Sequence, residues 1–274
     1  MPSTELDTDS YKFLQDYVYR ESGIVLDGDK RYLLEARLMP IVHEMRLGSL
    51  NDLCALLKPT ANNALVKRQV VEAMTTNETY FFRDSAQYDA LKANVIPALV
   101  AQRQDTRRMI FWSAASSSGQ EAYSLAMMLI EMGLGDWRIT IQGTDLSSRM
   151  VERARTGRYL QIEVNRGLPV TCLIKHFKRV GLEWQLNDDV RRMVEFSCID
   201  LRQSLRSRGP FDVVFCRNVL IYFDIESKRR ILDEIHGTLF RGGYLLLGAS
   251  ETTLNLVDCF ERKIFGQTVL YQAS

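Results

Sequence analysis

Residues 109–121, MIFWSAASSSGQE, decide the fold that we expect for this chain. The apolar run at the start predicts a buried strand over Met109–Ala115, and a helix is predicted from Gly119 to Met132, where Gly133 ends it. A strand and a helix joined by a short turn form the first half of a βαβ unit. The stretch therefore predicts an α/β domain built on a parallel sheet.

The same alternation continues toward the carboxyl end, so we expect a mostly parallel sheet with helices on its faces. The last two predicted strands have no helix between them, which indicates an antiparallel hairpin at the sheet edge. Between Tyr159 and about Met193 the alternation breaks, and we expect a small insert with short antiparallel strands. The further predicted strands are Arg138–Thr144, Met193–Ile199, Phe211–Cys216, Tyr244–Leu247 and Lys263–Tyr271, and the further predicted helices are Ser147–Thr156 and Glu226–Phe240.

The first quarter of the chain, from Ser10 to about Thr76, has helical periodicity and no alternating strand pattern. It predicts an all-α module. The first helix is marked by Phe13, Leu14, Tyr17 and Val18, the second starts near Asp29, carries the stripe Leu34, Leu38, Ile41 and Met45 and stops at Gly48, the third runs from Ser49 and Asp52 to Pro59, and the fourth is marked by Leu65, Val66, Gln69, Val70 and Ala73.

Composition excludes several classes of protein. Lys and Arg total 35 against 34 Asp and Glu, and a net charge of +1 gives no general attraction to nucleic acid or anionic lipid. The five cysteines have no metal-ligand spacing, which favours reduced thiols and no bound metal. No apolar run is long enough to insert into a membrane, and the polar start has no signal-peptide pattern. We therefore expect a cytoplasmic protein and a monomer.

Polar residues follow successive predicted strands, at the edge where open α/β sheets bind ligands. The first turn lacks the GxGxxG spacing and the Lys of phosphate-binding loops, which disfavours a phosphate ligand. Glu121 suits a cationic amino group, Asp145 the two hydroxyls of a ribose, and Asp200 an adenine edge, while Asn218 follows the fourth strand. A nucleoside that carries an amino acid and no phosphate, S-adenosylmethionine, fits this set.

Each of these features also has a simpler interpretation. The small-residue turn is explained by tight packing, Glu121 by a charge at a helix start, and Asp145 by a cap for the next helix. In the helical module, Lys30 and Arg37 lie on one flank of the second helix, where they could hold an acidic partner or form an ordinary solvated basic face.

Two longer strings resemble signature segments of one family. Residues 75–83, TTNETYFFR, and residues 215–224, FCRNVLIYFD, resemble those of the CheR family, the glutamate methyltransferases that act on bacterial chemoreceptors. The resemblance extends over nearly the whole chain. It implies a Rossmann-like class I methyltransferase domain, dependent on S-adenosylmethionine, with a small inserted β-subdomain and an all-α domain before it.

The resemblance also implies boundaries and roles. We expect an all-α receptor-facing domain over 1–75, a linker over 76–88 that contributes to the cofactor site, and a methyltransferase domain over 89–274 with its β-subdomain at about 160–195. Arg83 and Tyr222 correspond to positions beside the transferred methyl group, and Arg37 to a basic helix residue that contacts the receptor. Lys30, on the same flank of the helix, would help to attract the acidic receptor. The residues that would contact the cofactor are Asn77, Thr79, Arg83, Glu121, Asp145, Asp200, Leu201, Arg217 and Asn218.

The chain departs from the family pattern in three places. The turn over 116–122 reads SSSGQEA, but it keeps the acid at Glu121. Asp200 stands where Asn is common, which adds a charge. The β-subdomain loop over 178–184, KRVGLEW, is short and lacks the Gly-x-Gly of relatives that bind a receptor's C-terminal pentapeptide, so we expect no dependence on that tether.

The expected reaction needs no general base, because a glutamate side chain is already anionic at neutral pH. With S-adenosylhomocysteine as the product, the enzyme would mainly align carboxylate, methyl carbon and sulfur, and Arg83 and Tyr222 would position the carboxylate. Two alternatives stay open: methylation of RNA or a small molecule, and a cofactor-sensing adaptor without catalysis. The expected partner is the helical cytoplasmic domain of a chemoreceptor, and a regulatory adaptor protein is compatible with the sequence.

Overall fold

The structure is a computed structural model that describes residues 6–58 and 63–274. These residues form two compact units. The helical unit contains the described residues up to Thr76 and also Tyr222–Asp224, and the sheet unit contains Asn77–Ile221 and Ile225–Ser274. Each unit has its own hydrophobic core. Among the described helices, none combines the length and the apolar character needed to span a bilayer.

The helical unit forms because capped helices bury one apolar side each. Asp7 caps the first helix by accepting from the Ser10 amide at 2.7 Å, and Ser49 caps the third by accepting from the Asp52 amide at 3.2 Å. Leu34, Leu38 and Ile41 of the stripe expected on the second helix are buried. The helices are α1 (Thr8–Ser22), α2 (Arg31–Glu44), α3 (Leu50–Leu57) and α4 (Ala64–Met74).

The predicted start of α2 near Asp29 is confirmed to within two residues, since the helix begins at Arg31, but the predicted stop at Gly48 was late. The Asp29 side chain accepts from the Arg31 amide at 3.2 Å, so Asp29 stands in a turn before the helix. At the other end, Met45 is the C-cap and is partly exposed, and the helix has already ended when the chain reaches Gly48. The predicted end of the third helix at Pro59 lies outside the described residues.

The sheet unit is built on seven strands in the order β6-β2-β1-β7-β8-β10-β9. All neighbours from β6 to β8 are parallel, and β10 pairs antiparallel with both β8 and β9. The strands are β1 (Arg108–Ala114), β2 (Arg138–Asp145), β6 (Val194–Cys198), β7 (Phe211–Cys216), β8 (Leu239–Leu247), β9 (Phe260–Phe265) and β10 (Thr268–Ala273). This arrangement is the predicted α/β fold, a mostly parallel sheet with an antiparallel edge.

Helices cover both faces of this sheet, as its parallel strands require. One continuous helical run, α5–α6 with a π-helical turn between, occupies a stretch for which the sequence analysis proposed no element. Its parts and the other crossover helices are α5 (Ser85–Ala90), a π-helix (Leu91–Val95), α6 (Ile96–Gln102), α7 (Gln120–Glu131), α8 (Ser148–Thr156) and α12 (Ile225–His236), with a 3₁₀ turn at Leu220–Tyr222.

The predicted insert is a small three-stranded antiparallel sheet in the order β3-β5-β4. Its central hairpin turns over only Gly181 and Leu182, and Gly181 has a φ of +64°. His176, buried at the end of a short helix, contacts Glu131 of α7 through its Nε2 at 2.7 Å. The elements are β3 (Arg158–Leu160), α9 (Gln161–Val164), α10 (Val170–His176), β4 (Phe177–Val180), β5 (Glu183–Leu186) and α11 (Asp188–Arg191).

Two predictions near the carboxyl end were wrong in detail. The single strand predicted over Lys263–Tyr271 is the hairpin β9–β10, because Gly266, with a φ of +61°, starts a two-residue turn. The helix predicted to reach Phe240 ends at His236, and β8 already begins at Leu239.

Candidate active site

The switch point of the sheet lies between its central strands β1 and β7. The chain proceeds from β1 through β2 to β6 on one side, and from β7 to β8 on the other. In open α/β sheets, ligands bind outside the carboxyl ends of the strands at such a point. The turns after β1, β2, β6 and β7 therefore define the candidate site.

The turn after β1 has a constrained backbone. Ala115, Ser117 and Gly119 have φ values of +59°, +49° and +91°. Non-glycine residues seldom adopt such angles, and those that do concentrate at functional sites. Any side chain at position 119 would also collide with its surroundings, because a Cβ there would lie 2.9 Å from the Phe196 ring. The turn thus depends on small residues for both conformation and space.

Asp145, buried at the end of β2, joins two turns. Its Oδ2 accepts from the Ser117 amide and its Oδ1 from the Ser147 amide, both at 2.9 Å. Helix α8 has a different cap, since the Ser147 Oγ accepts from the Met150 amide at 3.3 Å. Asp145 therefore does not cap α8. The two backbone amides hold its carboxylate at the end of β2, where the sequence predicted it.

Glu121 lies at the start of α7, within a largely buried charge cluster. Its Oε1 accepts from the Ser113 Oγ at 2.7 Å, and its Oε2 accepts from the Arg217 Nη1 at 2.9 Å. The Nη2 of Arg217 donates to the Arg83 carbonyl at 2.7 Å and to the Asp84 Oδ2 at 2.6 Å. Arg217 thus connects the turn after β7 to α7 and to the linker segment.

The charge of this cluster is unbalanced. Burial lowers the pKa of Arg217, but the negative charges of Glu121 and Asp84 more than offset that effect, and the net shift is upward. The guanidinium therefore stays protonated. Two carboxylates around one guanidinium leave one negative charge, which suits a cationic ligand at Glu121 and would repel a phosphate.

The linker segment after Thr76 is tied to the sheet unit by its backbone. The Asn77 carbonyl accepts from the Ser117 Oγ at 2.8 Å, and the Phe82 amide donates to the Ser124 Oγ at 2.9 Å. These two backbone contacts fix the course of the segment along the sheet unit. Thr79 is half-buried within the same segment.

Arg83 ends this segment with a partly exposed guanidinium. Its Nη1 donates to the Glu78 carbonyl at 3.1 Å, and it lies 5.6 Å from the centre of the Tyr80 ring. Arg166 lies over the same ring at 4.4 Å and pairs with the Glu78 carboxylate at 2.5 Å, which lowers the pKa of that carboxyl. Within the described residues, Arg83 forms no ion pair within 4 Å, although its charge contributes, after that of Arg166, to the lowered pKa of Glu78. It is therefore available to a carboxylate ligand.

Asp200 follows β6, and a neighbour balances the charge that it adds. The Nη2 and Nε of Arg202 donate to its Oδ2 and Oδ1 at 2.6 and 3.0 Å. Leu201, between them, is buried. The pair explains how the chain accepts Asp at this position, and the sequence analysis did not anticipate it.

Asn218 follows β7 and is positioned by an acid that the sequence analysis missed. Asn218 has a φ of +56°, and its amide donates to the Glu251 Oε2 at 2.7 Å. The same carboxylate accepts from three further backbone amides, those of Val219, Ile221 and Gly248, at 2.9, 3.3 and 2.7 Å. Glu251 therefore fixes the turns after β7 and β8 together. Its position in the turn GASE, residues 248–251, directly after β8, is the signal in the sequence that could have pointed to it.

The two basic candidates in the helical unit differ in their surroundings. The Arg37 Nη1 donates to the carbonyls of Met74 and Thr75 at 2.7 and 3.0 Å, and its Nη2 donates to the Thr76 Oγ1 at 3.0 Å. Arg37 therefore caps the carboxyl end of α4. Lys30 precedes α2 and is half-buried. Tyr222 also belongs to this unit, where its carbonyl accepts from the Val25 amide at 2.9 Å.

The strand-end residues fit S-adenosylmethionine. The negative cluster around Glu121 would hold the cationic amino group, the Asp145 carboxylate would accept from the ribose hydroxyls, and the turn of small residues, which contains no Lys, offers no countercharge to a phosphate. Fold and site together define a class I methyltransferase that uses S-adenosylmethionine.

Comparison with known proteins identifies the family. Residues 77–268 match the CheR methyltransferase SAM-binding domain, and residues 9–75 match the CheR methyltransferase all-alpha domain. Chemotaxis protein methyltransferase 1 of Pseudomonas aeruginosa is 39% identical over 96% of this chain and 97% of its own length. The chemotaxis protein methyltransferase of Vibrio parahaemolyticus is 37% identical over 99% of both chains. The chain belongs to the CheR methyltransferase family.

Proposed function

We propose that this chemotaxis methyltransferase transfers the methyl group of S-adenosylmethionine to glutamate side chains on the cytoplasmic helices of chemoreceptors. The observation that carries the proposal is the similarity, over nearly the full length, to chemotaxis protein methyltransferases. The site supports it, since Arg83 offers an unpaired guanidinium to a substrate carboxylate. The enzyme would work in the cytoplasm as a monomer, with S-adenosylhomocysteine as product.

The reaction requires positioning and no proton transfer. S-adenosylmethionine supplies a methyl group that its positively charged sulfur activates. One glutamate oxygen forms a bond to the methyl carbon while the carbon–sulfur bond breaks and its electrons remain on sulfur, so charge is neutralised on both sides. None of the three histidines, His43, His176 and His236, lies among the turns that follow the central strands. That distribution agrees with a reaction that needs no base.

One assay separates this function from its alternatives. The protein is incubated with methyl-labelled S-adenosylmethionine and a receptor cytoplasmic fragment, beside a fragment in which the methyl-accepting glutamates are changed to alanine. We expect base-labile label on the first fragment only. Label on RNA or a small molecule would support a methyltransferase that acts on that substrate. Cofactor binding without methyl transfer would support a cofactor-sensing adaptor.

Arg83 and Tyr222 are proposed to position the carboxylate. Arg83→Ala and Tyr222→Phe are expected to lower kcat at least about tenfold, with little change in affinity for S-adenosylhomocysteine. Arg166→Ala is the matched control for Arg83→Ala, because both arginines lie over the Tyr80 ring. Equal losses in Arg83→Ala and Arg166→Ala would contradict the proposed role.

Lys30 and Arg37 are proposed to attract the acidic receptor helix. Added salt should weaken receptor methylation more than cofactor binding. Lys30→Ala should reduce methylation without loss of stability, whereas Arg37→Ala should also destabilise the helical unit, because its guanidinium caps α4. Salt-independent methylation would argue against steering.

The short hairpin over Gly181 and Leu182 supports an enzyme that does not depend on a receptor's C-terminal pentapeptide. Titration calorimetry with such a peptide should detect no specific binding, and receptor fragments with and without the peptide should be methylated at equal rates. Tight, saturable binding would show that the hairpin can serve as a docking site despite its length.

A further inference from the structure

The carboxyl edge of the sheet has two halves, and the acids proposed to hold the cofactor lie in one of them. Glu121, Asp145 and Asp200 follow β1, β2 and β6. The connections that follow β7 and β8 form the other half, beyond the switch point. The connections after β7 and β8 carry none of these three acids, so they are the candidate place for contact with the substrate.

An apolar groove lies on that second half, between the β7–α12 connection and the segment after β8. We call it the Ile225 groove. Its volume is about 200 Å³, enough for one or two aliphatic side chains. Leu220 is buried in it, whereas Ile225 and Leu254 are 60% and 71% exposed. Its lining consists of five aliphatic residues together with two hydroxyl and two charged residues: Leu220, Ile221, Ile225, Leu254 and Leu256, Ser250 and Thr252, and Lys228 and Glu251.

The groove is preformed. Glu251 lines it, and the Glu251 carboxylate accepts four backbone hydrogen bonds, from the amides of the turn after β7 and of Gly248 after β8. These bonds hold both walls in one arrangement and offset the negative charge that would otherwise repel an acidic partner. A site that needs no rearrangement loses less conformational entropy on binding.

Lys228 gives the groove a charge. It lies on α12 one turn after Ile225, is half-buried, and within the described residues forms no ion pair. An apolar groove beside an unpaired cation is complementary to an amphipathic helix that carries an aliphatic residue and, one turn away, an acid. Ile221 is also followed directly in the chain by Tyr222, for which we propose a place beside the methyl group.

We propose that the Ile225 groove receives an aliphatic side chain of the receptor helix, about one turn from the methyl-accepting glutamate, and that Lys228 pairs with an acid of the same helix. Residues three and four apart on a helix share one face, so a single helix can present all three side chains. This inference rests on the proposed function and adds to it a determinant of which glutamates are chosen.

The test compares variants of the full chain in receptor methylation. Ile225→Glu and Leu254→Glu place a charge at the rim of the groove and should raise KM for the receptor fragment about tenfold or more, with kcat changed less than about twofold. Ile264→Glu is the matched control, because Ile264 is 63% exposed on the edge strand β9. The affinity for S-adenosylhomocysteine, measured by calorimetry, should be the same in all three variants as in the wild type. Such a result shows that the variants fold.

A charge exchange gives a second, independent readout. Lys228→Glu should raise KM in the same way. A receptor fragment in which the acid one turn from the aliphatic residue is changed to Lys should return the KM of Lys228→Glu most of the way to the wild-type value. The inference is overturned if the wild type methylates the receptor but both groove variants have the wild-type KM. It is also overturned if the charge exchange does not lower the KM of Lys228→Glu. If the wild type methylates no receptor glutamate, the proposed function itself fails.

Discussion

At the scale of single residues, Arg217 is the side chain on which the site's electrostatics depend. It is 5% exposed and contacts Glu121, Asp84 and the Arg83 carbonyl. We expect Arg217→Met to reduce the free energy of unfolding by about 3–5 kcal/mol, because two acids lose their shared partner. Urea unfolding followed by circular dichroism measures the change.

The control for Arg217→Met is Arg206→Met. Arg206 also pairs with two acids, Asp233 and Glu234, but its side chain is 56% exposed. Its loss should cost less than about 1 kcal/mol, because water replaces the lost contacts. Similar costs for the two variants would mean that burial does not set the strength of the Arg217 cluster.

The sequence predicted which acidic residues lie near the strand ends, but it did not predict the side chains to which they are hydrogen-bonded. Glu121 and Asp145 were expected where the structure has them, because position after a strand is a local property. That Arg217 would bind Glu121 depends on two turns 96 residues apart meeting at one sheet edge. The Asp200–Arg202 pair could have been predicted, since the two residues are only two positions apart in the sequence.

At the scale of elements, Glu251 joins two loops. We expect Glu251→Gln to speed amide exchange in both loops and to cost about 1–3 kcal/mol, because an amide group turns a donor toward backbone donors. Hydrogen exchange at the amides of Asn218, Val219, Ile221 and Gly248 reports the effect. Glu261→Gln, at an exposed pair with Lys263, should leave those four amides unchanged. Unaltered exchange in Glu251→Gln would refute the role.

The contact between the insert and α7 should weaken in acid. Lys175, and then His176, lower the pKa of Glu131 below its ordinary value of 4.5. The folded protein therefore binds this proton less readily than the unfolded chain, so the stabilisation is full above pH 4.5 and is lost as pH falls through the folded-state pKa.

Glu131→Gln should flatten that acid-side loss of stability. Because the carboxylate is about a third exposed, the difference between wild type and variant should not exceed about 1 kcal/mol. Urea unfolding at a series of pH values from neutral to acidic measures it. Parallel pH profiles for the two proteins would contradict the assignment.

Element types were predicted better than element ends. The strands of the parallel sheet were found because buried runs between turn residues are distinctive. The hairpin β9–β10 was merged into one strand, although a Gly followed by one residue between two apolar runs is a hairpin signal that could have divided it at Gly266. The run α5–α6 was missed although Tyr88, Leu91, Val95, Ile96 and Leu99 repeat at helical spacing along one buried side.

At the scale of the whole molecule, the two units have separate cores, and each contains one buried thiol. Burial raises the pKa of Cys54 in the helical unit to about 11 and raises that of Cys216 in the sheet unit. Both should therefore resist a thiol reagent in the folded protein, whereas the exposed Cys198 should react at once.

Pulsed thiol labelling in urea should modify Cys54 at lower denaturant than Cys216, because a smaller unit buries a smaller fraction of its surface. Mass spectrometry of digested protein assigns each label. Simultaneous labelling of the two thiols would mean that the units unfold as one cooperative body.

The attachment of residues 77–83 to the sheet unit makes Arg83 part of the same unit as the strand-end acids. Asn77 and Phe82 make their bonds to the catalytic unit through backbone atoms, so the segment and Arg83 would accompany that unit whatever sequence preceded them. Loss of the amino-terminal helices should therefore leave S-adenosylhomocysteine binding in place, whereas Tyr222, whose carbonyl accepts from the Val25 amide, would lose that backbone bond.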